Sequence, residues 1–168
     1  MINHLTIKAI GNDYRDRVIA LILPIQQIEF SVPVTLEDQP DLLNIDEHYN
    51  ENGGAFWVAE LGEEVVGTIS LMAFDGQSVA LRKMFVKKEF RGKEFGIANL
   101  LLHTLIDHCK VHGINAIYLG TVDMLKAAHR FYEKSGFQEI GTEDLPFRFP
   151  RMMADNKFYH LSLTSINH

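Results

Sequence analysis

The stretch that most constrains this chain runs from Leu81 to Leu102 and changes character twice. Leu81-Arg82-Lys83-Met84-Phe85-Val86 ends in three apolar residues and reads as a buried strand. Ala98, Leu101, Leu102 and Leu105 recur at helical spacing, so a helix begins near Phe95 or Gly96. Between them lies a turn holding Arg91, Gly92, Lys93 and Gly96. Strand, glycine-containing turn and helix start together make an anion site. The first helical amides lack intrahelical partners and carry the positive end of the dipole. Gly92 and Gly96 let the backbone curl and approach a phosphate closely. Arg82, Lys83, Lys87, Lys88, Arg91 and Lys93 crowd the turn against Glu89 and Glu94, in a chain of formal net charge -6. On these residues alone a solvated basic loop ahead of a surface helix reads equally well, because short glycine motifs recur by chance.

A second stretch, Ala128-His129-Arg130-Phe131-Tyr132-Glu133-Lys134-Ser135-Gly136-Phe137, reads as a helix ending in a glycine cap and then a strand. The two stretches together resemble the Gcn5-related N-acetyltransferase (GNAT) superfamily. Arg91 to Gly96 lies on that family's acyl-coenzyme A motif R/Q-x-x-G-x-G/A. Leu81 to Val86 looks like its fourth strand, and A-x-x-F-Y-E-K-x-G-F looks like its later helix and strand. The resemblance covers Gly54 to about Leu163 and fits Ile2 to Gly53 loosely. It implies an α/β (α+β) fold: a mixed, centrally splayed sheet of six to seven strands with helices on both faces. It also implies acetyl-coenzyme A as co-substrate, with the pantetheine arm in the gap between the fourth and fifth strands. Met84, Phe85 and Val86 would then bond the arm as a neighbouring strand would. Arg91, Gly92, Lys93, Glu94, Phe95, Gly96, Ile97 and Ala98 would hold the diphosphate, and Tyr132 stands at the usual tyrosine acid.

Three positions depart from the family pattern. Glu94 replaces the first glycine of the motif, so it is expected to keep ordinary backbone angles and point outward. Ala80 stands where many members carry a glutamate, so no base carries over to it. Leu125 stands where many members carry an asparagine.

Along the rest of the chain, Leu5 to Ile10 alternates as a first strand, and Asp13 is placed to cap a helix reaching about Leu23. Gln26 to Thr35 reads as a loop. Leu36 to Tyr49 reads as a second helix opened by Thr35, Glu37 and Asp38. Phe56–Glu60 and Glu64–Phe74 read as strands about the Leu61-Gly62-Glu63 turn, and Asp75-Gly76 as a hairpin. A strand from Ala116 to Leu119, a helix from Asp123 to Ser135, and strands over Phe137–Gly141 and Lys157–Leu163 complete the pattern. Residues 1–168 suit one domain. A single cysteine, Cys109, allows no internal disulfide, and Met1 opens no signal-like segment, so a cytoplasmic location is expected. The acidic balance argues against broad nucleic-acid binding, and no apolar run spans a bilayer.

Acetyl transfer to an amine needs a held diphosphate, a polarised thioester carbonyl, a neutral amine and a proton for the departing thiolate. An amide in the Met84–Val86 region can donate to the carbonyl oxygen. A phenol of pKa about 10 suits a thiolate of pKa about 9, so Tyr132 is chemically apt as the acid; otherwise it is a core tyrosine. Cys109 falls on the buried helix stripe, which favours direct transfer over a covalent intermediate. No base is legible; Glu29, Glu37 and Asp38 are weak candidates. His108 and His112, with His103 nearby, have metal-like spacing but no clear third ligand, so no metal is assigned. His129 faces either the cofactor or water. Leu145 to Met153 is rich in large residues and either walls an acceptor pocket or packs against a second copy in a homodimer. The reading is an N-acetyltransferase acting on a primary amine of a small molecule or peptide. A non-catalytic acyl-coenzyme A sensor is the alternative, and a nucleotide site, lacking a Walker lysine-serine pair, ranks last.

Overall fold

The structure, a computed structural model, describes residues 4–92, 94–152 and 154–163. Seven strands form one sheet: β1 (Leu5–Ala9), β2 (Ala55–Leu61), β3 (Glu64–Ala73), β4 (Ser78–Val86), β5 (Ala116–Thr121), β6 (Gln138–Ile140) and β7 (Lys157–Ser162). Their spatial order is β1-β2-β3-β4-β5-β7-β6. All neighbours run antiparallel except β4 and β5. The mixed, splayed sheet with helices on both faces agrees with expectation.

Strand alternation divides the interior in two. On β2, Trp57 and Ala59 face one core while Phe56 and Val58 face the other. The first core lies under α4 (Ile97–Val111), whose Leu101, Leu102, Leu105 and Cys109 form the buried stripe. The second lies under α1 (Arg15–Pro24), through Val18, Leu21 and Ile22. Close seating of α4 depends on Gly67 in β3, where an added Cβ would lie 3.1 Å from Leu101 and 3.2 Å from Ile97. Gly67→Val is therefore expected to overpack this contact and cost about 1–3 kcal/mol in urea denaturation. An unchanged midpoint would show that α4 can move away freely.

The segment before β2 differs from expectation. Asp13 does not cap α1; it sits in a short 3-10 turn, and Tyr14 precedes the helix without a side-chain cap bond. The expected loop after Pro24 begins instead as a wider helical turn over Ile25–Glu29. Thr35 and Asp38 do form a reciprocal pair, the Thr35 amide donating to Asp38 Oδ2 at 3.0 Å and the Asp38 amide to Thr35 Oγ1 at 3.2 Å. They close one turn only. The helix starts afresh at Pro40, and Asn44 splits it into α2 (Pro40–Leu43) and α3 (Ile45–His48). The split turns Asp41 and Leu42 inward. The last helix, α5, is shorter than its pattern and spans Lys126–Lys134.

Candidate active site

β4 and β5 pair over three registers only, Ser78 with Ala116, Val79 with Ile117 and Ala80 with Tyr118. Beyond them β4 pairs with β3 alone and β5 with β7 alone, so the strands part. The facing edge of Met84, Phe85 and Val86 is left free of a strand partner, as the resemblance implied. The parting is sharpened by a β-bulge: Thr68 pairs with Phe85 but Ser70 with Arg82, so β4 carries an extra residue there. Lys83 takes a left-handed φ of 54°, unusual for a side chain of that size. Thr68 Oγ1 donates to the Lys83 carbonyl at 2.7 Å and Ser70 Oγ to the Arg82 carbonyl at 2.8 Å, which pins the bulge.

A cleft occupies the parting. Its walls include Arg82 to Phe85 from β4, Gly120 and Thr121 from β5, Leu125 before α5, and Phe149, Met152 and Asp155 from the segment before β7. The Leu145–Met153 segment thus contributes to the pocket wall, while Phe147 is fully exposed and Met153 lies outside the described residues. The cleft's polar residues reach it through the bulge and α2. Lys83 Nζ donates to Gln39 Oε1 at 2.6 Å and stands 3.6 Å from Asp41 Oδ2. Arg82 Nη2 stands 3.6 Å from the same oxygen. Tyr49 OH donates to Asp41 Oδ2 at 2.6 Å. Burial lowers the Lys83 ammonium to about 8 against the pull of Asp41. Burial would raise Asp41, but the two cations and the Tyr49 hydroxyl hold it below the usual carboxylate range. Asp155 shifts the other way, raised chiefly by burial.

The turn before α4 has the expected shape. Gly92 has φ 120° and Gly96 φ 66°; Gly96 precedes α4 with no side-chain cap bond, leaving the Ile97 and Ala98 amides at an open helix start. Phe95 packs edge-on against Phe90, 5.8 Å between ring centres. Lys93 lies outside the described residues. Glu94 keeps ordinary backbone angles and is exposed, as expected, with its carboxylate lying over Gly92, where an added Cβ would lie 2.8 Å from Glu94 Oε1.

The basic crowd around the turn is not one patch. Arg91 forms a two-pronged pair with Glu29, at 2.5 and 2.8 Å, and its Nε donates to the Val86 carbonyl at 2.8 Å. It braces the end of β4 against the turn after α1. Lys87 pairs with Glu64. Lys83 is buried and Arg82 partly so, and both line the cleft.

Tyr132 sits in the core under α5 at 6% exposure, its ring against Phe137 and Tyr159, and it is not among the cleft-lining residues. Burial, and then the Asp155 charge, raise its hydroxyl, so it keeps its proton. No described hydrogen bond uses that hydroxyl, and no buried side-chain polar atom among the described residues lacks a partner. The oxygen therefore retains some access. His129 does not face water: it is buried, with Nε2 2.9 Å from the Val122 carbonyl. Burial pushes the Cys109 thiol up to about 12, which makes it a poor nucleophile. His108 and His112 stack at 4.1 Å, His108 leaning on Trp57, and no cluster of three metal-ligating side chains occurs among the described residues. Glu29 is committed to Arg91, Asp38 to its turn, and Glu37 is exposed.

Sequence reasoning missed the Arg82, Lys83, Asp41 and Asp155 cluster. One signal was available: two consecutive charges inside a strand with both neighbours in a core must turn toward partners or a ligand.

A family model described as "Acetyltransferase (GNAT) family" matches residues 19–137. N-acetylaspartate synthetase of Danio rerio is 39% identical over 107 residues, 62% of this chain and 37% of that protein. The chain spans less than half the length of the curated relatives it matches. The crystal structure of an acetyltransferase of GNAT family from Staphylococcus aureus Mu50 is 41% identical, covering 95% of this chain and 99% of that one at a TM-score of 0.91. An acetyltransferase from Streptococcus agalactiae is 27% identical, covering 96% and 100%, also at 0.91.

Proposed function

The chain belongs to the acetyltransferase (GNAT) family, and on that premise we propose that it transfers an acetyl group from acetyl-coenzyme A directly to a primary amine. The observation that carries the reading is the parting of β4 from β5 beside an open helix start at Gly96. The Ile97 and Ala98 amides receive the diphosphate, with Gly92, Glu94, Phe95 and Gly96 shaping the turn and Lys93 contributing a cation to the phosphates. Arg91 holds the turn to β4 through Val86 and to the turn after α1 through Glu29. The free edge of Met84, Phe85 and Val86 pairs with the pantetheine arm. The bulge bends that edge so that an amide there donates to the thioester oxygen as negative charge develops on it.

In the transfer the amine nitrogen forms a bond to the carbonyl carbon and the carbon–sulfur bond breaks. The thiolate takes a proton from Tyr132, and the proton that the nitrogen gives up as the amide forms restores the Tyr132 phenol. The acceptor is an amine of a small molecule or peptide, bound in the cleft between β4, β5 and the segment before β7. We read residues 1–168 as one domain acting in the cytoplasm, with homodimer formation through the exposed Phe147 region. No helix among the described residues is long and apolar enough to cross a membrane.

The test is release of free coenzyme A from acetyl-coenzyme A in the presence of amino acids, polyamines and peptides, each tried singly. Release that depends on one amine, with the acetylated amine identified by mass spectrometry, is the expected result. Tight binding of acetyl-coenzyme A with no release for any amine would favour a sensor, and absence of binding would overturn both.

A further inference from the structure

Arg82 is poorly partnered for so little exposed a cation. Its side chain is only 11% exposed. Two of its nitrogens contact sulfur, Nη1 to Met72 at 3.3 Å and Nη2 to Met152 at 2.7 Å. Its nearest carboxylate among the described residues is Asp41, at 3.6 Å and shared with Lys83. A guanidinium presents five donors in a planar fork, and a thioether is a weak acceptor. This fork has therefore lost water without gaining matched oxygens. A planar oxyanion entering the cleft would satisfy it by a two-pronged bond.

The opposite sign is close by. Met152 links the two: its sulfur contacts Arg82, and its amide donates to Asp155 Oδ2 at 3.0 Å. Asp155 is seated against Gly120, where an added Cβ would lie 2.4 Å from Oδ2, so β5 leaves room for this carboxylate. Both residues line the same cleft, whose remaining walls include apolar Phe149 and Leu125. The cleft thus offers a cationic fork and a carboxylate on either side of one methionine.

We infer that the acceptor is a free amino acid, its carboxylate held by Arg82 and Lys83 and its ammonium by Asp155. The inference rests on the acetyl-transfer reading and narrows it. One proton passes from the ammonium to the Asp155 carboxylate, and the neutral nitrogen attacks the thioester carbon. Burial raises Asp155, which suits it to accept that proton. A peptide amine, which lacks a carboxylate beside it, leaves Arg82 without its partner.

The experiment compares the common amino acids with their carboxamides, first by calorimetric binding to protein saturated with coenzyme A, then by turnover with acetyl-coenzyme A. An acid is expected to bind and react on the order of 10- to 100-fold better than its amide. Arg82→Gln should bring that ratio close to one, chiefly through KM, with acetyl-coenzyme A affinity retained. Asp155→Asn should lower kcat for acid and amide alike. Selective binding of an acid without turnover would uphold this pocket and overturn the transferase reading. Amides or peptides matching the acids on the unaltered protein would overturn the inference whether or not the variants fold, as would an acid preference that survives Arg82→Gln.

Discussion

Tyr132→Phe is expected to lower turnover by roughly 10² to 10⁴ while acetyl-coenzyme A affinity and thermal stability stay as they were. The substitution keeps the ring that packs on Phe137 and Tyr159 and removes only the hydroxyl. No described hydrogen bond uses that hydroxyl, so the fold has little to lose with it. Its proton is tightly held, because burial and Asp155 both oppose the phenolate. The hydroxyl is therefore protonated but a weaker acid than a free phenol, and it yields its proton because the departing thiolate's charge is unwelcome in the same apolar surroundings. Steady-state kinetics, calorimetry and thermal unfolding on both proteins check the three parts separately. Equal turnover would return Tyr132 to the role of a core tyrosine. A fall in stability would show that the hydroxyl serves the fold.

Asp41→Ala is expected to cost about 3–5 kcal/mol of stability, the penalty for leaving buried charge without its counterion. Arg82 and Lys83 share this one carboxylate, and the Tyr49 hydroxyl donates to it from a fully buried ring. Asp41→Asn keeps an acceptor for Tyr49 and should lose less. Urea denaturation measures both; a loss below about 1 kcal/mol for the alanine variant would mean the cations reach water or other oxygens. Lys83 adds a pH signature. Its ammonium is lowered from 10.5 to about 8 on folding, so between those values the unfolded chain binds more protons. Stability attributable to Lys83 must then rise with pH across that window, relative to Lys83→Met.

The scaffold was legible in the sequence because its signals are local. The apolar run from Phe56 to Ala59, the helical stripe from Ala98 to Leu105, and glycines at Gly92, Gly96 and Gly136 each act over a few residues, and each element lies close to its expected bounds. Failures collect where tertiary contacts decide. The stretch from Leu36 to Tyr49 carries enough helical pattern for one helix, but Pro40 and Asn44 break it, and the break presents Asp41 to the bulge. The bulge itself is a matter of register between Thr68, Ser70 and β4, which neither strand encodes alone. Asp155 and Arg82 lie far apart in sequence and meet across Met152. Arg91 was legible as a cation of the turn; its commitment to Glu29 was not, because that partner lies across the fold.

The most direct measurement is a crystal structure with acetyl-coenzyme A bound. The account predicts the diphosphate on the amides at the start of α4, next to Gly96, and the pantetheine arm along the free edge of Met84, Phe85 and Val86. The acetyl group should then lie at the bulge, between the Tyr132 hydroxyl and the Arg82–Asp155 pair. A diphosphate held away from the Gly92–Gly96 turn, or an arm that leaves the gap between β4 and β5 empty, would contradict it.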